Sequence, residues 1–107
     1  MVKNILTALI LFACTTAAAS GQDITIGSKK FTESVILGEV LTEVAIGAGY
    51  KARHRAELGG TRVLFEALKI GDIDLYVEYT GTLEQELLAN QNPQTPQQID
   101  AVLAAMG

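Results

Sequence analysis

The chain has 107 residues, 49% of them hydrophobic and 19% charged, with a formal net charge of −4. This is the composition of the ordinary soluble class, with room for one small domain. The basic residues come as the pairs Lys29-Lys30 and Arg53/Arg55 rather than as a run, which argues against nucleic acid as a partner.

Lys3, the apolar run Ile5 to Ala13 and the small residues Ala17-Ala18-Ala19-Ser20 read as a secretory signal peptide over residues 1–20. The apolar core is too short for a stable membrane anchor, and cleavage after Ala19 or Ser20 suits the small-residue requirement. A rival reading takes Leu11-Phe12-Ala13-Cys14 as a lipoprotein box with Cys14 acylated, although bulky Phe12 and so early a cysteine fit such boxes poorly. If Cys14 leaves with the leader, the mature chain has no cysteine for a disulfide, a nucleophile or a thiolate metal site. His54 is the only histidine, and its alternating surroundings from Lys51 to Leu58 make it a strand residue.

The remainder, 21–107, alternates strand and helix. Asp23 to Gly27 reads as a short strand, followed by the loop Gly27 to Phe31 and a helix capped by Thr32, with Glu33 in its first turn. Ile36, Leu37, Val40, Leu41, Val44, Ala45 and Ala48 recur at helical spacing, and this face is expected to pack on a sheet. Gly47 and Gly49 stop the helix. A second strand, Lys51 to Leu58, leads through Gly59-Gly60-Thr61 into a helix with Val63, Leu64, Ala67, Leu68 and Ile70 buried and Gly71 at its end. The glycine pair is either a plain tight turn or a ligand-facing loop.

Ile73 to Val77 reads as a third strand that stops abruptly at Glu78-Tyr79-Thr80-Gly81-Thr82. Tyr79 offers an aromatic face to a small cation and Thr82 a hydroxyl to an oxygen acceptor, which makes this turn the expected binding edge. Tyr76 is expected in the core. Thr82-Leu83-Glu84-Gln85 fits a capping box for a short helix. Thr95-Pro96-Gln97-Gln98 fits another, with Ile99, Val102, Leu103 and Met106 on the last helix's apolar side.

This order predicts an α/β lobe with a parallel sheet. If strands one and three are neighbours, the Ser28-Lys29 and Tyr79-Thr82 loops emerge side by side at the sheet's carboxyl edge, and a 2-1-3 order makes the gap between them a topological switch point. The carboxylates Asp72, Asp74, Glu78, Glu84 and Glu86 have no nucleophile, metal set or phosphate loop beside them, so an enzyme is not expected.

Gly27-Ser28-Lys29-Lys30-Phe31-Thr32-Glu33, Leu58-Gly59-Gly60-Thr61, Glu66 to Asp74 and Glu78-Tyr79-Thr80-Gly81-Thr82 together resemble the substrate-binding proteins of glycine betaine/carnitine/choline ABC transporters. The resemblance covers Ile24 to Asn90. It implies one lobe of a two-lobed type II periplasmic-binding fold, an extracytoplasmic location, a quaternary ammonium ligand, a membrane permease as partner and no cofactor. It also implies that Tyr79 belongs to an aromatic box for the trimethylammonium head and that Lys29 and Thr82 bind the ligand's carboxylate. Read without the resemblance, Tyr79 is a half-buried strand-end aromatic, Lys29 a solvated loop charge and Thr82 a helix cap. Family members are more than twice as long, so the expectation is a first lobe without its second: a fragment, a truncated product or a lobe whose partner is another chain. A sensing or interaction lobe that does not transport, or a truncated product without function, is the competing reading.

Overall fold

The computed structural model describes residues 21–107; the leader expectation and Cys14 lie outside the described residues. Strand β1 (Asp23–Lys29) is followed by helix α1 (Thr32–Gly47), strand β2 (Lys51–Gly59), helix α2 (Thr61–Lys69), the short turn α3 (Thr80–Thr82) and helix α4 (Pro96–Met106). β1 and β2 pair in parallel, from Asp23 opposite Lys51 to Gly27 opposite Arg55. Parallel pairing needs a crossover, which α1 supplies. From Thr25 to Lys29 every residue of β1 is buried, whereas most of β2 is exposed or half-buried, so β1 is the central strand and β2 an edge.

The third strand expected over Ile73 to Val77 is reduced to one bridge, Ile26 with Leu75. On the Ile73 side a side chain interrupts the ladder. The Thr25 N–H, which a regular ladder would give to a backbone carbonyl, donates instead to the Asp74 carboxylate at 2.7 Å. The Asp74 N–H reaches Thr25 O at 2.8 Å and the Gly27 N–H reaches Leu75 O at 2.9 Å, after which the pairing ends. The segment nevertheless lies against β1, giving the spatial order 2-1-3 that puts the exits of β1 and of this segment side by side.

Helix α1 departs from its apolar periodicity. Its buried positions are Ser34, Gly38 and Thr42, while Ile36, Val40 and Val44 are 57%, 52% and 63% exposed. Gly38 explains the choice of face, because a Cβ there would collide with the His54 imidazole, so the helix can approach β2 this closely only through glycine. Thr42 satisfies its buried hydroxyl by donating to Gly38 O at 2.8 Å. On α2, Leu64 is fully buried as expected, but Val63 and Ile70 face outward at 52% and 72% exposure.

Two of the expected caps are displaced. Phe31, not Thr32, holds the N-cap position of α1, and the nearby hydroxyl at work is that of Ser34, which accepts the Lys29 N–H at 2.8 Å. Thr82 lies within a helical stretch whose N-cap is Tyr79, so it caps nothing, and the helix continues as a wide turn over Leu83–Leu87. Thr95 does cap α4, accepting from Gln98 N with Pro96 in the first turn. Among the described residues, Ile26, Leu64, Ile73, Leu88 and Ile99 form the buried apolar core, drawn from β1, α2, α4 and the segments that follow α2 and α3, with nothing from α1 or β2.

Candidate functional site

The chain leaves β1 at Lys29, enters α2 at Gly60-Thr61 and opens α3 at Tyr79, all at the carboxyl edge of the sheet. These stretches bound a shallow open cleft of about 400 Å³ lined by Lys29, Lys30, Phe31, Gly59, Gly60, Thr61, Tyr79 and Thr82. All three residues singled out in the sequence, Lys29, Tyr79 and Thr82, therefore meet in one cleft. The position is the one a parallel α/β sheet offers for a ligand.

The β2 rim is built by an irregularity. After Gly27 opposite Arg55, the next paired residues are Lys29 and Gly59, so β2 carries extra residues. Glu57 takes up a left-handed conformation (φ 57°), and its N–H donates to the Ser28 hydroxyl at 3.3 Å. Gly59 turns with φ 156°, and a Cβ there would stand 2.9 Å from the Val63 side chain. The glycine pair thus serves as a tight turn and as cleft wall together.

Lys29 is buried rather than a solvated loop charge. Its ammonium donates to Glu78 Oε1 at 2.5 Å and to Thr61 Oγ1 at 3.0 Å. An ammonium has three N–H donors, so one remains beyond these two contacts. Glu78 in turn accepts the Tyr79 N–H at 3.0 Å on Oε1 and the Tyr76 hydroxyl at 2.9 Å on Oε2. Both carboxylate oxygens of Glu78 are therefore engaged, and the turn carrying Tyr79 is tied through them to β1. Tyr76, expected in the core, is half-buried and held by this carboxylate.

Tyr79 is 38% exposed and Phe31 43%, both on the cleft. The Tyr79 hydroxyl donates to the Glu33 carboxylate at the start of α1, which fixes the ring's azimuth and raises its phenol above the ordinary range through that hydrogen bond. Phe31, Thr61 and Glu78 are site residues that the motifs contained without revealing their roles. Phe31 had a usable signal, an aromatic next to Lys29-Lys30 in the same loop; the contact of Glu78 with Lys29 spans 49 positions and had none.

His54 is a strand residue, as expected, with a bracing role. One ring nitrogen lies 2.7 Å from Glu39 Oε2 and the other 2.9 Å from Ser28 Oγ. Serine, histidine and glutamate follow in the order of a nucleophile relay, yet Ser28 is 1% exposed and its oxygen already accepts an amide, so no substrate reaches it. The set ties α1 to both strands directly behind Lys29. Among the described residues no group of three or more His, Cys, Asp or Glu side chains is placed to hold a metal, and no helix is long and apolar enough to cross a membrane.

Tyr76 carries a pH dependence. Burial first, then the hydrogen bond to Glu78 and that group's charge, push its phenol well above the ordinary value of 10.0. Its contribution to stability is complete below the unfolded value and is lost as pH rises from there towards the folded one, because only the unfolded chain releases the proton in that window. Denaturant midpoints should fall above pH about 10, and Tyr76→Phe should remove part of the fall; an equally steep decline in that variant would count against the Tyr76–Glu78 contact.

A parallel α/β lobe with an aromatic-walled cleft at its switch point has the geometry of a site for a small solute. The family profile for the substrate binding domain of an ABC-type glycine betaine transport system matches residues 22–105, and the chain belongs to that family. Among characterised proteins, the glycine betaine-binding protein YehZ of Escherichia coli (strain K12) is 32% identical over 73 residues, which is 68% of this chain and 24% of that protein. The chain thus spans about a quarter of that relative's length. Substrate-binding proteins of this family are extracytoplasmic, bind small quaternary ammonium ligands and work with ABC permeases.

Proposed function

We propose that the chain is the first lobe, residues 21–107 behind an exported leader of residues 1–20, of the solute-binding component of an ABC transporter for glycine betaine or a related quaternary ammonium osmoprotectant. The observation that carries this reading is the meeting of Tyr79 and Phe31 with Lys29, Thr61 and Thr82 in one cleft. A trimethylammonium group donates no strong hydrogen bond, so aromatic faces are its best partners, while a carboxylate takes the remaining Lys29 N–H and the Thr82 hydroxyl. The cleft is open, and a second lobe closing over it would complete the aromatic enclosure and supply contacts to a membrane permease.

Titration of the isotopically labelled chain with glycine betaine, followed by amide chemical shifts, tests the assignment. Saturable shifts confined to residues 29–31, 59–61 and 79–82 are expected, with affinity no better than millimolar because one lobe encloses half the ligand. Absence of saturable shifts, or shifts centred elsewhere, would overturn it. In the same titration Tyr79→Ala should weaken binding about fivefold, the scale of a partly solvated cation–π contact, and Tyr79→Phe less than about twofold because the aromatic face stays.

A further inference from the structure

The cleft wall holds a charge pair whose two members have unequal access to a ligand. Lys29 and Glu78 meet at 2.5 Å, with side chains 5% and 9% exposed. Lys29 lines the cleft; Glu78 stands behind it, in contact with Lys29, the Tyr79 amide and the Tyr76 hydroxyl. Seen from the cleft, the pair is nearly neutral although its visible member is a cation.

We propose that Glu78 determines ligand selectivity: by holding the charge of Lys29 in a buried pair, it limits the preference of the cleft for carboxylate-bearing over uncharged-tailed quaternary ammonium ligands. The inference rests on the solute-binding reading of this cleft. Glu78 acts through Lys29 and is a positioning residue, since the ligand-facing groups are Lys29, Tyr79 and Thr82.

The charge arithmetic gives a direction for each variant. Glu78→Gln keeps the geometry, because an amide oxygen can accept from Lys29 and the Tyr79 N–H and an amide NH₂ can donate to the Tyr76 oxygen. It leaves the pair with one net positive charge. The trimethylammonium head, common to glycine betaine and choline, is then repelled equally in both, while the carboxylate of glycine betaine alone is attracted. Lys29→Gln reverses the sign: one net negative charge favours choline and repels the carboxylate. Each change should shift the ratio of the two affinities about fivefold, the scale of one charge acting on another across a half-solvated gap.

The experiment measures dissociation constants of glycine betaine and choline for the chain and both variants by amide-shift titration, with folding checked by the dispersion of the free spectra. A betaine-to-choline affinity ratio raised about fivefold in Glu78→Gln, and lowered in Lys29→Gln, is the expected result. If the parent binds both ligands and the ratio stays the same in either folded variant, even with both affinities weakened, Glu78 is only a structural support and the inference is overturned. Failure of both variants to fold would also overturn it, making the pair a requirement of the fold. A parent that binds neither ligand would overturn the solute-binding reading itself, and the inference with it.

Discussion

Ile26→Ala is expected to destabilise the lobe by about 3 kcal/mol, within the range of roughly 2–5 kcal/mol for truncating a buried aliphatic side chain. Ile26 is 0% exposed and stands in the central strand, opposite His54 on one side and Leu75 on the other. A cavity there opens where both strands and the third segment meet, so neighbouring side chains cannot collapse into it without breaking the pairing. A domain of this size has on the order of 5–10 kcal/mol in total, and the exposed Ile36, Val40 and Val44 contribute little of it in the lobe alone. The variant should lose a large share of its folded population on mild denaturation. A denaturant midpoint within error of the parent's would show that β1 is not the centre of the core.

Glu78→Ala should be at least as damaging, at about 3–5 kcal/mol, for a different reason. It removes no large apolar volume but leaves the buried Lys29 ammonium without its counter-ion and the Tyr76 hydroxyl without its acceptor. An uncompensated charge costs far more than the pair itself contributes. The buried pair as such is weak support for stability, so replacing both members with apolar side chains of similar size should restore much of the loss. That contrast separates a charge left stranded from a site intolerant of any change, and thermal unfolding of Glu78→Ala and of Lys29→Met/Glu78→Leu measures it. Equal destabilisation of both would contradict the stranded-charge account.

Local chemistry made much of the lobe readable. The alternation of strand and helix, the glycine turns and the Thr95 cap follow from residue types acting over a few positions, and the structure places them where those residues stand. Lys29, Tyr79 and Thr82 share a cleft because Lys29 ends and the other two follow a chain segment paired in parallel, and parallel pairing brings such exits to one edge.

What was not readable depended on approach distances between elements. The apolar spacing of α1 pointed to Ile36, Val40 and Val44, but hydropathy does not register that Gly38 allows closer contact than any side chain would, and closeness set the buried face. The third strand is cut short on its Ile73 side, where the Asp74 carboxylate takes the Thr25 amide of the ladder, a contact that spans 49 positions. The role of Glu78 was hidden in the same way.

The most direct measurement of the central claim compares choline with 3,3-dimethylbutan-1-ol, which has the same shape with a neutral carbon in place of the ammonium nitrogen. Both are titrated into the chain with amide shifts of residues 29–31 and 79–82 as the readout. If Tyr79 and Phe31 form an aromatic site for a quaternary cation, choline should bind about fivefold or more tightly than its neutral twin, and Tyr79→Ala should shrink that difference. Equal affinity for the two compounds would contradict the account, leaving the cleft an apolar hollow with no preference for charge.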